Sequence, residues 1–290
     1  MSREAIGKIA LGSAQFGMDY GITNSRGRIK QEKINELLGL AHRSGIRTID
    51  TAQTYGCSEN AIGDYLSKNP NEHWKIVTKV SADFENLREA LAGSYDRLTI
   101  PPYALLAHSA ELFLEHDFQN QILALRSEGL VQAVGVSLYT EIEIEQVLGA
   151  AYCPELIQLP INILDTRLYH GGSLKKIYER GVDIHARSVF LQGLFYLPES
   201  EVERRFPEAY STIEKLRLIA HEVDLELSEL SLLWLLGIQE ISSVIIGVDS
   251  PAHLSRHLET LTKGVDSQVF EAALAIRFTN PKILNPSLWR

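Results

Sequence analysis

A short apolar run, a turn and a segment of helical periodicity follow one another repeatedly along this chain. The apolar runs read KIALGS, IRTIDT, WKIVTKV, YALLAHS, VQAVGVS, ELIQLPI, VDIHARS and SSVIIGV. Between them lie helix-patterned segments such as QEKINELLGLAHRSG, SENAIGDYLSK, FENLREALAGSYDRL, QNQILALRSEG, TEIEIEQVLGAA, GSLKKIYERG and PAHLSRHLETL. Gly45, Gly129 and Gly181 stand just past helical segments and just before apolar runs, where left-handed helix stops are expected. Strand–helix alternation predicts parallel strands covered by helices, and eight such units favour closure over an open sheet with a second domain. The expected fold is therefore an α/β protein, a (β/α)8 TIM barrel.

No Gly/Ser- or Pro-rich linker divides the sequence, so residues 1–290 are expected to form one domain. Two segments break the regularity. One is a long loop and helical insertion at about 190–229, which contains PEAYSTIEKLRLIAHEVD; the other is a C-terminal helix and tail at about 265–290. A formal net charge of -9 disfavours nucleic acid and anionic membrane surfaces as partners, while leaving room for a local basic pocket. The two cysteines, Cys57 and Cys153, lack CxxC spacing and fit a reducing cytoplasm better than a disulfide framework. The opening MSREAIGKIALGSAQFG lacks the apolar core and cleavage site of a secretory signal, and LSLLWLLGI is too short to span a bilayer. A cytoplasmic monomer or small homo-oligomer is expected.

In a barrel of this kind, chemistry belongs where the strands end and the βα loops converge. The second run ends in Asp50 and leads into a loop carrying Tyr55; the third ends in Lys79, the fourth in His108, the fifth in Ser137 and the seventh in Arg187. Gln158 interrupts the otherwise apolar sixth. Taken singly, each has a plainer reading: Asp50 and Lys79 as a structural ion pair, Tyr55 as packing, His108 as a hydrogen-bonded core histidine, Ser137 as turn chemistry. Convergence favours function, because burying an acid, a lysine, a tyrosine and a histidine together is costly. Such a cluster suits carbonyl reduction, in which an acid protonates the oxygen as hydride arrives at carbon. Lys79 is expected to lower the pKa of Tyr55, Asp50 to hold Lys79, and His108 to orient the carbonyl or relay the proton. Hydride must come from a cofactor, since no side chain supplies it. The nine histidines form no HxH or HExxH cluster at a strand end, so no metal site is expected.

The segment from Asp50 to Gly56, DTAQTYG, resembles the D-T-A-x-x-Y-G stretch of the aldo-keto reductase superfamily. Lys79 in IVTKV, His108 in LLAHS and Ser137 closing GVS fall in that family's order and approximate spacing. The resemblance covers nearly the whole chain. It implies a catalytic tetrad of Asp50, Tyr55, Lys79 and His108, with Tyr55 as proton donor to a small carbonyl substrate. It also implies NADP(H) or NAD(H) as cofactor, with Ser137 and Gln158 facing the nicotinamide carboxamide. Where many members stack an aromatic ring on the nicotinamide, this chain has Arg187, and where asparagine commonly follows the serine it has Leu138. Ser188 to Gly193, including Gln192, resembles the loop over the pyrophosphate.

At IIGVDSPAHLSRH, which resembles the adenosine 2′-phosphate clamp, the residues are Gly247, Asp249, His253, Arg256 and His257. Asp249 suits a free ribose 2′-hydroxyl and repels a phosphate, whereas Arg256 or a charged His253 could hold one, so both cofactors remain open. LGSAQFGMDYGITN and HARSVFLQGL are similar to a bacterial branch associated with carbohydrates, which implies a sugar-like substrate. The pocket walls are expected from loops near Phe16, Tyr20, Tyr55, Ser109 and Tyr139 and from the C-terminal tail, with Phe16 and Trp289 as covers or core. Two other functions fit the same residues. One is a non-catalytic redox-sensing subunit that binds the cofactor; the other is a barrel lyase using Lys79 as a Schiff base.

Overall fold

The computed structural model describes residues 3–24 and 27–289. Its strands are β1 (Ile9–Gly12), β2 (Thr48–Asp50), β3 (Lys75–Val80), β4 (Ala104–Ala107), β5 (Ala133–Ser137), β6 (Leu156–Pro160), β7 (Asp183–Arg187) and β8 (Ser243–Gly247). All neighbouring pairs are parallel, and β8 returns to β1 to close the barrel. Each strand is followed by a covering helix: α1 (Gln31–Ser44), α2 (Ser58–Lys68), α3 (Leu87–Leu98), α4 (His116–Ser127), α5 (Glu141–Leu148), α6 (Ser173–Glu179), α7 (Leu227–Gly237) and α8 (Pro251–Thr260). The eight apolar runs and their intervening helices thus fold as the alternation predicts. Gly45, Gly129 and Gly181 adopt positive φ at their helix stops.

Strand alternation divides the core in two. Outward residues such as Leu11, Ile49, Ile76, Leu105, Val134, Ile157, Ile184 and Val244 pack beneath the helices. Val77, Ala104, Leu106, Ala133 and Leu156 point inward and form a separate cluster inside the barrel. With both faces buried, the strands read as continuous apolar runs. The interior is lopsided, however. The inward positions of β6, β7 and β8 include Gln158, His185 and Ser243, which are paired in register. All three are buried.

After β7 comes a 3-10 turn (Leu191–Tyr196) and two additional helices (Glu199–Arg205 and Pro207–His221) before α7. The chain ends in a helix at Ser267–Ala275 and two short turns. Trp289 packs on Phe206 at 4.8 Å and donates its indole N–H to the Ile283 carbonyl at 3.0 Å. The tail therefore seals against the insertion. Among the described residues, no helix is long and apolar enough to cross a membrane.

Candidate active site

Asp50, Lys79 and His108 leave β2, β3 and β4 at or just beyond their C-terminal ends, so the barrel delivers three ionisable groups to one face. Lys79 Nζ donates to both Asp50 oxygens at 2.8 Å and to the Thr51 carbonyl at 2.7 Å. Its three protons are then all taken. The pair is almost fully withdrawn from water, with Lys79 at 1% and Asp50 at 5% exposure. Tyr55 lies on the β2–α2 loop, with Lys79 Nζ 5.2 Å from its ring centroid and the His108 ring edge-on at 6.2 Å. The loop is braced by a close backbone approach: a Cβ on Gly17 would stand 1.7 Å from the Tyr55 carbonyl, so only glycine fits there.

These four residues form one end of a cleft that opens to solvent. Along its walls lie Ser137, Arg187, Ser188, Gln192, Gly193, Gly247, Asp249 and His253, so most of the expected site residues share one cavity. From Ser188 to Gly193 the backbone enters the left-handed region at Ser188, Leu191, Gln192 and Gly193. This tight loop is tied across the mouth by Ile22 N–H donating to the Gln192 carbonyl at 2.9 Å. The cleft then reaches the N-terminus of α8, capped by Ser250 accepting from the His253 N–H. A tight loop followed by a helix N-terminus is a favourable place for phosphate oxygens, so the residues present fit a dinucleotide.

Three expectations about placement are corrected. Gln158 does not line the cleft: its amide nitrogen donates to Asp50 Oδ1, and its Oε1 is buried without a protein partner. His257 stands behind the wall, stacked on Phe190 at 4.8 Å and 4.6 Å from His253. The C-terminal tail contributes no described residue to the cleft; of the two roles open to them, Phe16 and Trp289 take the packing one, Phe16 in the core and Trp289 sealing the tail, while Ser109 caps a helix at Ala110–Leu114. Sequence reasoning missed Gln15, Thr23, Asn24 and Tyr196, which line the cleft, whereas Phe190, which also lines it, lies within the expected Ser188–Gly193 loop. They come from the β1 loop and the insertion, where no periodic pattern marks which side chains turn inward.

Electrostatics revises the expected role of Lys79. Burial pushes the Tyr55 phenol well above its ordinary value, the Asp50 carboxylate adds to that, and Arg187 opposes it. The net shift is upward, where a lowering by Lys79 was expected. Tyr55 therefore stays protonated at neutral pH. Burial, reinforced by Lys79 and Arg187, lowers His108 to about 4, so its imidazole is neutral. Lys79 is itself pulled down by burial and drawn back up by Asp50. At the far end, the His253 ring (Nδ1 at 3.1 Å) and Ser250 hold Asp249 down at about 2.

The aldo/keto reductase family profile matches residues 8–276. The chain belongs to the aldo/keto reductase family. An aldo-keto reductase of Mycobacterium ulcerans (strain Agy99) is 29% identical over 139 residues, 43% of this chain and 46% of that protein. The match thus spans about half the length of that relative. Aldo-keto reductase AKR11C1 from Bacillus halodurans, solved in its holo form, superposes with a TM-score of 0.77 at 20% identity, covering 93% of this chain and 92% of that one. The aldo/keto reductase from Klebsiella pneumoniae, solved with NADP and acetate, gives 0.72 at 16% identity, covering 94% and 93%. The thermostable aldo-keto reductase Tm1743, solved with the inhibitor epalrestat, gives 0.74 at 23% identity, covering 93% and 94%. At these identities the neighbours establish that this aldo/keto reductase shares their fold.

Proposed function

We propose that this protein reduces the carbonyl of a small polar molecule, with NADH or NADPH as hydride source and Tyr55 as proton donor. The observation that carries the reading is a phenol held protonated at the end of a cleft, beside a neutral imidazole and over a buried Asp50–Lys79 pair. The bound cofactor would supply hydride to the carbonyl carbon. The Klebsiella pneumoniae structure with NADP supports that class of cofactor. Ser188 to Gly193 and the N-terminus of α8 would hold its phosphates, and Ser137 would face its carboxamide.

Tyr55 Oη delivers its proton to the substrate oxygen as the bond to carbon forms. Neutral His108 donates an N–H to the same oxygen and so fixes the carbonyl over Tyr55. The phenolate left on Tyr55 is stabilised by the Arg187 guanidinium and regains its proton through the open mouth. Asp50 and Lys79 act together: Asp50 keeps the ammonium in place under the Tyr55 ring, and neither is free to leave the other. Tyr20 and Tyr139, which act on the charge of Tyr55 from the same cleft, furnish the substrate end with hydroxyl groups, which suits a polyhydroxylated aldehyde or ketone such as a sugar.

Turnover tests the reading. Wild-type protein incubated with NADH and NADPH and a panel of aldehydes, ketones and sugars should consume reduced cofactor in step with alcohol formed. Cofactor binding without turnover anywhere in the panel would instead favour a redox-sensing subunit.

A further inference from the structure

Among the described residues lining the cleft are one lysine and one arginine, and only the lysine has an acidic partner. Lys79 is paired with Asp50. The Arg187 guanidinium makes no ion pair with any described residue. It donates to Ser137 Oγ at 3.2 Å, to the Leu138 carbonyl at 3.1 Å and weakly to Ser188 Oγ at 3.5 Å, and lies 4.1 Å over the Tyr139 ring. These neutral partners fix its position without cancelling its charge, and a guanidinium cannot shed that charge by losing a proton.

We propose that Arg187 makes the site bind the reduced, uncharged nicotinamide ring in preference to the oxidised, positively charged one, and so favours release of the oxidised cofactor after hydride transfer. This rests on the reductase reading. Hydride transfer requires the ring within about 3–3.5 Å of the carbon whose oxygen Tyr55 protonates. Arg187 is anchored to Ser137 and over the Tyr139 ring on the wall of the same cleft as Tyr55, His108 and Lys79, so a ring bound there to deliver hydride lies within the reach of its charge. When the ring gives up hydride it gains a positive charge beside an uncompensated cation. The diphosphate carries the same charge in both forms, so it cancels in the ratio of oxidised to reduced affinity. That ratio isolates the ring. For two charges about 6 Å apart at an effective dielectric of about 20, the repulsion corresponds to roughly a hundredfold, and to roughly tenfold where water at the mouth screens it further.

The test is calorimetric titration of wild type, Arg187→Gln and Arg187→Lys with the oxidised and reduced forms of whichever cofactor binds. Wild type should bind the reduced form at least about tenfold more tightly. Arg187→Gln should bring the ratio toward one, mainly by strengthening the oxidised form, while Arg187→Lys should keep most of the preference. A wild-type ratio of one or less overturns the proposal whether or not either variant folds. So does a ratio unchanged in Arg187→Gln, or one lost equally in Arg187→Lys, which would assign the effect to planar hydrogen bonding instead of charge. Wild type that binds neither form would overturn the reductase reading itself, whereas binding and turnover with an unmoved ratio would overturn the role of Arg187 alone.

Discussion

Replacing Lys79 by methionine separates what the Asp50–Lys79 pair does for the fold from what it does for the reaction. The substitution keeps an unbranched side chain of similar length and removes the charge. It leaves the Asp50 carboxylate buried at 5% exposure, with the Gln158 amide as its remaining side-chain donor. Removing one partner of a buried pair costs about 3–5 kcal/mol, because the surviving charge is uncompensated. Unfolding entropy scales with chain length, so for this 290-residue chain a loss of that size lowers the melting temperature by roughly 5–8 °C. The double variant Asp50→Leu/Lys79→Met removes both charges and should recover most of the lost stability. It should recover no turnover, since the groups beneath Tyr55 are gone. Denaturant and thermal unfolding of both singles and the double, with steady-state turnover, give the comparison. Lys79→Met within about 1 kcal/mol of wild type, or a double variant less stable than either single, would refute the view that these charges are buried for chemistry at the fold's expense.

Three further outcomes follow from the same groups. With His108 lowered to about 4 from an ordinary 6.5, and Tyr55 raised above an ordinary 10.0, neither titrates near neutrality. The kcat/KM for reduction should therefore be flat between pH of about 5 and 9 and fall only as alkali removes the Tyr55 proton; an inflection near 6.5 that vanishes in His108→Ala would contradict this. Asp249→Asn removes a carboxylate that opposes a 2′-phosphate, so the kcat/KM ratio of NADPH to NADH should rise by a few-fold to about tenfold, limited by the exposure of Asp249; an unchanged ratio would show that this carboxylate does not meet the ribose. His185, buried inside the barrel with Nδ1 unpartnered, is lowered to about 4. Its contribution to stability is complete above pH of about 6.5, where the unfolded chain is also neutral, and is lost as pH falls toward 4. That loss amounts to about 3 kcal/mol, and His185→Gln should visibly flatten the acid limb of a stability–pH curve.

The barrel was legible because parallel strands buried on both faces leave continuous apolar runs, and because glycine closes helices at Gly45, Gly129 and Gly181. The placement of Asp50, Tyr55, Lys79 and His108 was legible for a related reason. A side chain at a strand's C-terminal end has one place to go in a closed barrel, so linear order becomes spatial proximity. Three details were not readable. Gln158 turns its amide nitrogen to Asp50, since position along a strand does not reveal which partner an inward side chain takes. His257 lies one helical turn past His253 and faces the Phe190 ring, a choice set by how α8 rotates against the insertion. The direction of the Tyr55 shift depends on desolvation and on the opposed charges of Asp50 and Arg187, which only three-dimensional contacts decide.

The most direct test of Tyr55 as the acid is a single-turnover experiment. Wild type and Tyr55→Phe, each loaded with the reduced cofactor that wild type prefers, are mixed with the best carbonyl from the panel, and loss of nicotinamide absorbance is followed. Tyr55→Phe should bind cofactor with wild-type affinity and keep its melting temperature, yet oxidise it at least about a hundredfold more slowly, the loss expected for a positioned general acid. Oxidation by Tyr55→Phe at a rate close to wild type would contradict the central claim and move the proton donor to another group in the cleft.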